Sequence, residues 1–557
     1  MDKKRLLVVG GVAGGASCAA RARRLSENAE IIIFERGNFV SFANCGLPYH
    51  IGNVIKNEDD LLVASPDLFK NWFNIDVRIN SNVKAIDRQN KEIEVEDLIK
   101  GGTYKEKYDY LVIAPGSSPI RPKLDGIDSE GIFTLRNIPD TRKIISWVNE
   151  KKPSRAVIIG AGFIGLEMAE NLAKLGISVS IVEMQDQVMP LLDKEMAWFI
   201  YEHLIKNKIG VYLGDSVSGF KKKSDGSIDV LVQSGQSLSA DIVILAIGVR
   251  QEIELAKNAG LEIGHLGGIK VNEKMQTSDK NIWAVGDAVE VKDFITEIQT
   301  VVPLAGPANR QGRIAADFIF GKNPMGAAFR GVQGTAVCGI FGLTVASCGL
   351  TEKSLQKLAK NGKEIPYEKI YLHPNSHASY YPGAKTISIK LIFSPDDGKI
   401  LGIQAIGLNA VEKRIDVVSM AIQKQGTVFD LEEAELCYAP QYGSAKDPVN
   451  MMGMIASNIV QGYTKVTHWE KLSTSDALIL DVREPFEYKR GHVDNAINIP
   501  LGQLRTRLNE LPKYREIWAY CFVGQRSYYA QRILTQAGFN SKSISGGYIM
   551  YLASDSI

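Results

Sequence analysis

Two cysteines in this chain stand in settings that suit sulfur chemistry. Cys45 lies in SFANCGLPY, residues 41 to 49, just ahead of Gly46 and close to Pro48. A dithiol centre needs a partner within a few positions, yet the next cysteine along the chain is Cys338. Cys521 opens CFVGQR, a loop that leads into a helix, so that backbone N–H groups and the Arg526 guanidinium can surround an anion. Cys18, Cys338, Cys348 and Cys437 lack such surroundings and read as structural. Six cysteines so scattered make neither a disulfide framework nor a zinc knuckle, which fits a reducing cytosol. His373 and His377 have metal-like spacing, but Pro374 breaks any helix between them and no carboxylate accompanies them. They read as loop residues, and no metal site is expected.

The elements that must position Cys45 begin with RLLVVGGVAGGASCAARARRL: a buried strand, a glycine turn and a helix. The following strand, EIIIFER, carries Glu35 twenty residues after Gly15. This is the spacing of a dinucleotide fingerprint, in which glycines admit a pyrophosphate to a helix N-terminus and the acid meets ribose hydroxyls. Gly10 and Gly15 hold the outer glycine positions, while Val12 stands at the middle one. A second unit, RAVIIGAGFIGLEMAENLAKLGISVSIVE, has Gly160, Gly162 and Gly165 in strict G-x-G-x-x-G and ends its next strand at Glu183. An acid there, with no arginine in MQDQV after it, repels a 2′-phosphate and favours NADH, with NADPH as the alternative. The competing reading of Glu183 is a solvated strand end.

Composition removes several classes of function. With 65 basic and 63 acidic side chains in 557 residues, net charge +2, the chain has no charged tail and no general affinity for nucleic acid or an acidic membrane surface. Any anion site must be local. The longest apolar stretch, IVILAIGV, is strand-length and far short of a membrane span. MDKKRLLVVGG mimics a signal peptide, but glycines break its apolar run and no cleavage site follows, so a soluble cytoplasmic protein is expected.

YDYLVIAPGSSP, DIVILAIGVR and NIWAVGDAVEV each read as a strand running into a small-residue turn. Together with the two glycine turns they resemble the flavoprotein disulfide reductase superfamily over residues 1 to about 455. The resemblance implies an FAD domain at 1–120 and 250–325, an NAD domain at 121–249 nested inside it, and an α+β dimerisation domain at 326–455. Gly10, Val12, Ala13, Gly14, Gly15, Glu35, Arg36, Ala114 and Asp287 would then line FAD, with Asp287 on the ribityl chain. Gly160, Gly162, Phe163, Gly165 and Glu183 would line NAD, with Phe163 either shielding the flavin until NADH arrives or simply packing. The redox cysteine of this superfamily lies against the flavin, a place that suits Cys45.

Without a second protein thiol, oxidised Cys45 must be a sulfenic acid or a mixed disulfide with a small thiol. Peroxidases and oxidases of the superfamily carry a histidine where this chain has Ala13. The segments around Cys45 and the first helix instead resemble coenzyme A disulfide reductases, in which CoA is the second thiol. That resemblance assigns CoA contacts to Ser17, Arg21 and Arg24 on the first helix, Ser41 and Asn44 beside the cysteine, and Lys446. It assigns Tyr380 and Tyr438 to a hydroxyl pair reaching across a homodimer toward the cysteine sulfur. CoA is a polyanion, and two arginines three apart share one helix face, although a solvated charged face would look the same.

After SNIVQGYTKVTHWEKL, the blocks D-V-R, G-H-V-x-x-A, N-I-P and C-x-x-G-x-R follow in order and resemble one α/β rhodanese domain, residues 467–557. Cys521 would take up sulfane sulfur from a donor. A phosphatase loop also combines a cysteine, an arginine and an anion nest, and these blocks alone do not separate the chemistries. The combined expectation is an α/β protein that reduces CoA persulfide, CoA polysulfide or CoA disulfide with NADH and FAD. An NADH oxidase or peroxidase, and a redox sensor or sulfur carrier without turnover, stand as alternatives.

Overall fold

The computed structural model describes residues 4–321 and 328–555; the expected boundary between residues 325 and 326 lies outside them. The chain forms two compact units, Met1–Met184 with Gly214–Val332, and Gln185–Leu213 with Gln333–Ile557.

In the first unit the apolar run Arg5–Val9 is the central strand of a five-stranded parallel sheet. Ile282–Ala284, Tyr110–Ile113, Arg5–Val9, Glu30–Phe34 and Asp76–Arg78 lie side by side in that order. Leu6, Leu7, Val8 and Ile33 are fully buried, as expected for strands covered on both faces. A second parallel array places Ser178–Glu183, Arg155–Ile159, Ile242–Leu245 and Ile132–Thr134 side by side. All of its strands fall in the chain between Tyr110–Ile113 and Ile282–Ala284, so one nucleotide-type fold is nested inside the other. Each sheet aims a glycine turn at a helix: Ala13–Leu25 in the first, Phe163–Lys174 in the second. Helix Ala305–Phe320 packs along helix Ala13–Leu25, closely enough that a Cβ on Gly312 would lie 2.2 Å from the Gly14 carbonyl oxygen.

The second unit holds a five-stranded antiparallel sheet whose outer strand is Glu368–Leu372, with helix Val411–Gln423 on the sheet. It also holds a five-stranded parallel sheet ordered Val466–Thr467, Ser541–Ile544, Ile517–Tyr520, Leu478–Asp481 and Ile497–Asn498. Cys521 follows the third of these strands directly and belongs to its apolar core. Among the described residues no helix is long and apolar enough to cross a membrane.

Candidate active site

The two glycine turns are built for close approach. Gly10 takes φ +92°, and a Cβ there would lie 2.1 Å from the Ala114 carbonyl oxygen; on Gly15 it would lie 1.9 Å from that of Gly10. The second turn repeats this, with Gly160 at φ +102° and a Cβ on Gly165 only 2.0 Å from Gly160 O. The middle position differs in kind. Gly162 has φ −82° and open space around its missing Cβ, and Val12 has φ −100°, so the backbone demands glycine at neither.

Neither helix has a side-chain N-cap or an acid in its first turn, which leaves the first N–H groups for an anionic ligand. Glu35 accepts from Gly11 N–H at 2.9 Å and Gly37 N–H at 2.8 Å, and Glu183 from Ala161 N–H at 2.7 Å. Glu183 is buried, so the solvated strand end is not what the fold builds. The two turns therefore fit dinucleotides. Arg36 is paired with Glu252 at 3.1 Å, Asp287 accepts from Ser117 Oγ at 2.9 Å, and Phe163 opens its helix half-buried.

Cys45 sits in a single 3-10 turn, Asn44–Gly46, feeding helix Leu47–Ile51, which Pro48 helps to start. Leu47, Pro48 and Ile51 are buried and anchor the turn. Ser41 adopts φ +48° and donates its N–H to Gly11 O at 2.8 Å, tying the cysteine segment to the first glycine turn. With its amide oriented by its neighbours, Asn44 accepts from Arg136 Nη1 at 2.6 Å. Arg136 also donates to Ser117 O at 2.6 Å, and Ser117 holds Asp287, so one polar chain links Asn44 to that aspartate.

The cysteine helix also lies on helix Phe163–Lys174. A Cβ on Gly52 would lie 2.1 Å from Asn171 Oδ1, and Tyr49 OH donates to Glu167 at 3.3 Å. Burial, helped by Glu170 and opposed by Tyr49, pushes Glu167 up to about 7. Cys45 is open to solvent on one side. The protein crowding its other side, then the carboxylates of Glu167 and Asp287, push its thiol up.

Of the residues expected to contact CoA, the first helix brings three to one face. Ser17 Oγ donates to Asn309 and Arg21 pairs with Asp317 at 2.7 Å, both partners lying on helix Ala305–Phe320. Arg24 is exposed. The expected basic cluster is thus weakened by one carboxylate, which shares the Arg21 charge. Lys446 is exposed just before Asp447, the cap of helix Pro448–Val460. Tyr380 and Tyr438 are exposed and joined through their hydroxyls at 2.7 Å, a bond that raises the Tyr380 phenol.

Around Cys521 the loop expected to form an anion nest directs one backbone N–H at the sulfur. Gly524, at φ +99°, donates its N–H to Cys521 Sγ at 3.1 Å, and helix Gln525–Gln536 starts at once. Arg526 is gripped by both oxygens of Glu487 at 2.6 and 2.7 Å, which keeps the guanidinium charged, with Cys521 adding to the effect. Asp481 and Arg483 of the D-V-R block pair at 2.6 Å, with the Arg483 guanidinium 4.3 Å from the centre of the Tyr548 ring. His373 is half-buried in its loop, and the protein around it holds its imidazole down to about 4, therefore neutral. Among the described residues one carboxylate trio, Asp193, Glu195 and Glu352, has metal-like spacing. The Lys390 ammonium sits among them at 2.8, 2.5 and 2.8 Å.

Residues 4–312 match the pyridine nucleotide-disulphide oxidoreductase family, residues 335–447 its dimerisation domain and residues 464–553 the rhodanese-like domain. A crystal structure of reduced Bacillus anthracis CoADR-RHD has a TM-score of 0.96 at 48% identity, covering 99% of this chain and 98% of that one. An NAD-dependent persulfide reductase from A. fulgidus has a TM-score of 0.90 at 37% identity, covering 98% of this chain and 100% of its own. A coenzyme A disulfide reductase of Staphylococcus haemolyticus is 33% identical over 456 residues, 82% of this chain and 100% of that protein. An NADH oxidase of Methanocaldococcus jannaschii is 38% identical over 450 residues, 80% and 97% respectively.

Proposed function

Since the chain belongs to the pyridine nucleotide-disulphide oxidoreductase family, we propose that it is an NADH-dependent reductase of CoA persulfide, CoA polysulfide and CoA disulfide, supplied with sulfur by its rhodanese-like domain. The observation that carries this reading is the pairing, in one chain, of a solvent-open cysteine at a nucleotide fold with a second cysteine in an anion nest. Neither has a disulfide partner among the described residues. The relatives named for CoA disulfide and persulfide support it.

FAD would be held by the turn from Gly10 to Gly15, Glu35, Arg36, Ala114 and Asp287, and supplies the electron path from NADH to sulfur. NADH would be received by Gly160, Gly162, Phe163, Gly165 and Glu183. The Cys45 thiolate attacks the CoA-bound sulfur of a persulfide; the S–S bond breaks, hydrosulfide leaves, and Cys45 is joined to CoA. Two electrons and a proton then restore the Cys45 thiolate and release CoA thiol. Arg24, Ser17, Ser41 and Asn44 hold the CoA, with Arg21 a weaker contact because Asp317 shares its charge. In the homodimer, Tyr380 and Tyr438 of the partner subunit donate hydrogen bonds to the departing sulfur.

Anaerobic NADH oxidation, measured side by side with CoA persulfide, CoA disulfide, polysulfide and peroxide, tests this. Turnover with the CoA substrates supports the reading. Steady peroxide consumption without CoA in that assay, or steady oxygen consumption in a parallel aerobic one, would make the protein a peroxidase or oxidase instead.

A further inference from the structure

The rhodanese-like domain closes the Cys521 nest with a turn of its own, and that turn is backed by another domain. Gly524, whose N–H meets the sulfur, is backed by the turn Gly546–Gly547: a Cβ on Gly524 would lie 3.4 Å from Gly546 N. Gly547, at φ +66°, is pressed on the nest from the same side, since its Cβ would lie 2.4 Å from Cys521 O. Tyr548 N–H and Ile549 N–H complete the closure, donating to Cys521 O at 2.7 Å and Phe522 O at 3.1 Å.

Behind that turn stands a residue of the dimerisation domain. Gly546, at φ +74°, lies so close to Tyr371 that its Cβ would be 2.7 Å from Tyr371 Cβ. The Tyr371 N–H donates to Ser545 Oγ at 2.9 Å, gripping the residue before the turn. Tyr371 is itself fixed. Its hydroxyl donates to Glu195 at 2.7 Å, and the Lys390 ammonium lies 5.4 Å from its ring centre. Its strand, Glu368–Leu372, is tied to the other domain by Lys369 to Glu470 at 2.6 Å and Glu368 to His468 at 2.9 Å.

We propose that Tyr371 is a positioning residue for the Cys521 nest, so that the sulfur-uptake site is completed by the dimerisation domain and works only while docked on strand Glu368–Leu372. A stack from the Tyr371 side chain through Gly546 to Gly547, whose Cβ would lie 2.8 Å from Gly524 N, leaves little slack, and a misplacement of about an ångström is enough to cost catalysis. The Arg526 guanidinium is gripped from another helix by Glu487, so anion capture should depend on the stack less than the transfer step does. This rests on the reading of Cys521 as the sulfane-sulfur acceptor.

The test uses the full-length holoenzyme and thiosulfate. Cys521 thiolate attacks the outer sulfur of thiosulfate, that S–S bond breaks, sulfite departs with the electron pair, and Cys521 persulfide remains to be measured as cyanide-releasable sulfur. Tyr371→Ala should lower the kcat of uptake by about tenfold or more with the KM for thiosulfate within about threefold, and CoA disulfide reduction at Cys45 should stay within about twofold of wild type. Tyr371→Phe, which keeps the ring against Gly546, should restore most of the kcat. Ser545→Ala, which removes only the grip on the turn, should give a smaller fall in the same direction and carries the test if Tyr371→Ala does not fold. Unchanged uptake in Tyr371→Ala or in Ser545→Ala, where the wild type does load sulfur, overturns the role of Tyr371 alone. A wild type that loads none on Cys521 overturns the functional reading and this inference with it.

Discussion

The two cysteines that carry the proposed chemistry are set in opposite surroundings. Cys45 is open to solvent and faces carboxylates, with Glu167 and Asp287 both acting to keep its thiol protonated. Cys521 is fully buried, receives a backbone N–H on its sulfur and has an arginine close by. An anion nest suits a group that accepts sulfur from a charged donor and holds it as an anion. A thiol among acids suits a group that is charged only during turnover and is otherwise spared idle reaction. On the proposed reading, the contrast lets one chain keep a sulfur-capturing site and a sulfur-reducing site chemically distinct without separating them into two proteins.

Cys45→Ser should break that division most severely. NADH-driven sulfide release from CoA persulfide should fall by about 10³-fold or more, while stopped-flow reduction of the bound flavin by NADH persists. Cys521→Ser should instead abolish uptake from thiosulfate and leave reduction of preformed CoA persulfide within about twofold. If Cys521→Ser lost both activities while folded and flavin-loaded, sulfur would have to pass through Cys521 on every turnover.

Arg526→Ala removes a charge-assisted contact worth about 1.5–3 kcal/mol, so thiosulfate uptake should drop roughly ten- to hundredfold with CoA disulfide turnover unaffected. At the other site Arg24→Ala should raise the KM for CoA substrates about fivefold or more, and Arg21→Ala by less, because Asp317 already shares the Arg21 charge. Equal effects would show that Asp317 releases Arg21 when CoA binds. The smallest effect is on pH. Glu167 in its ionised form raises Cys45, so Glu167→Gln should move the midpoint of Cys45 alkylation downward, by about half a pH unit or more. An unmoved midpoint would assign the raised thiol to burial alone.

What could be read from the sequence was local. The glycines, their strands and the acids closing them lie within one strand-turn-helix-strand unit, and both turns have the expected shape. The anomaly at Val12 has a plain cause: the middle position needs no positive φ, so a side chain there strains nothing in the backbone. The partners that tune each site were not legible. Asn309 and Asp317 reach Ser17 and Arg21 from almost three hundred residues along the chain, and Arg136 and Glu167 come to the Cys45 segment from the nested fold. Glu487 meets Arg526 from 39 residues away. None of these has a spacing that betrays it, because packing between elements, rather than periodicity within one, brings them in. Glu167 does lie in the conspicuous stretch GFIGLEMAE, but nothing local says that its carboxylate turns toward a cysteine helix.

Lys390 has a further consequence. Asp193, Glu195 and Glu352 offer the oxygen set that many proteins close with a divalent ion, and here an ammonium on its own side chain closes it instead. Such a cation cannot be chelated, exchanged for a competitor or lost by dilution. The junction beneath Tyr371 therefore assembles identically in metal-starved and metal-replete surroundings, and its electrostatic keystone is inherited through the gene rather than gathered from the medium.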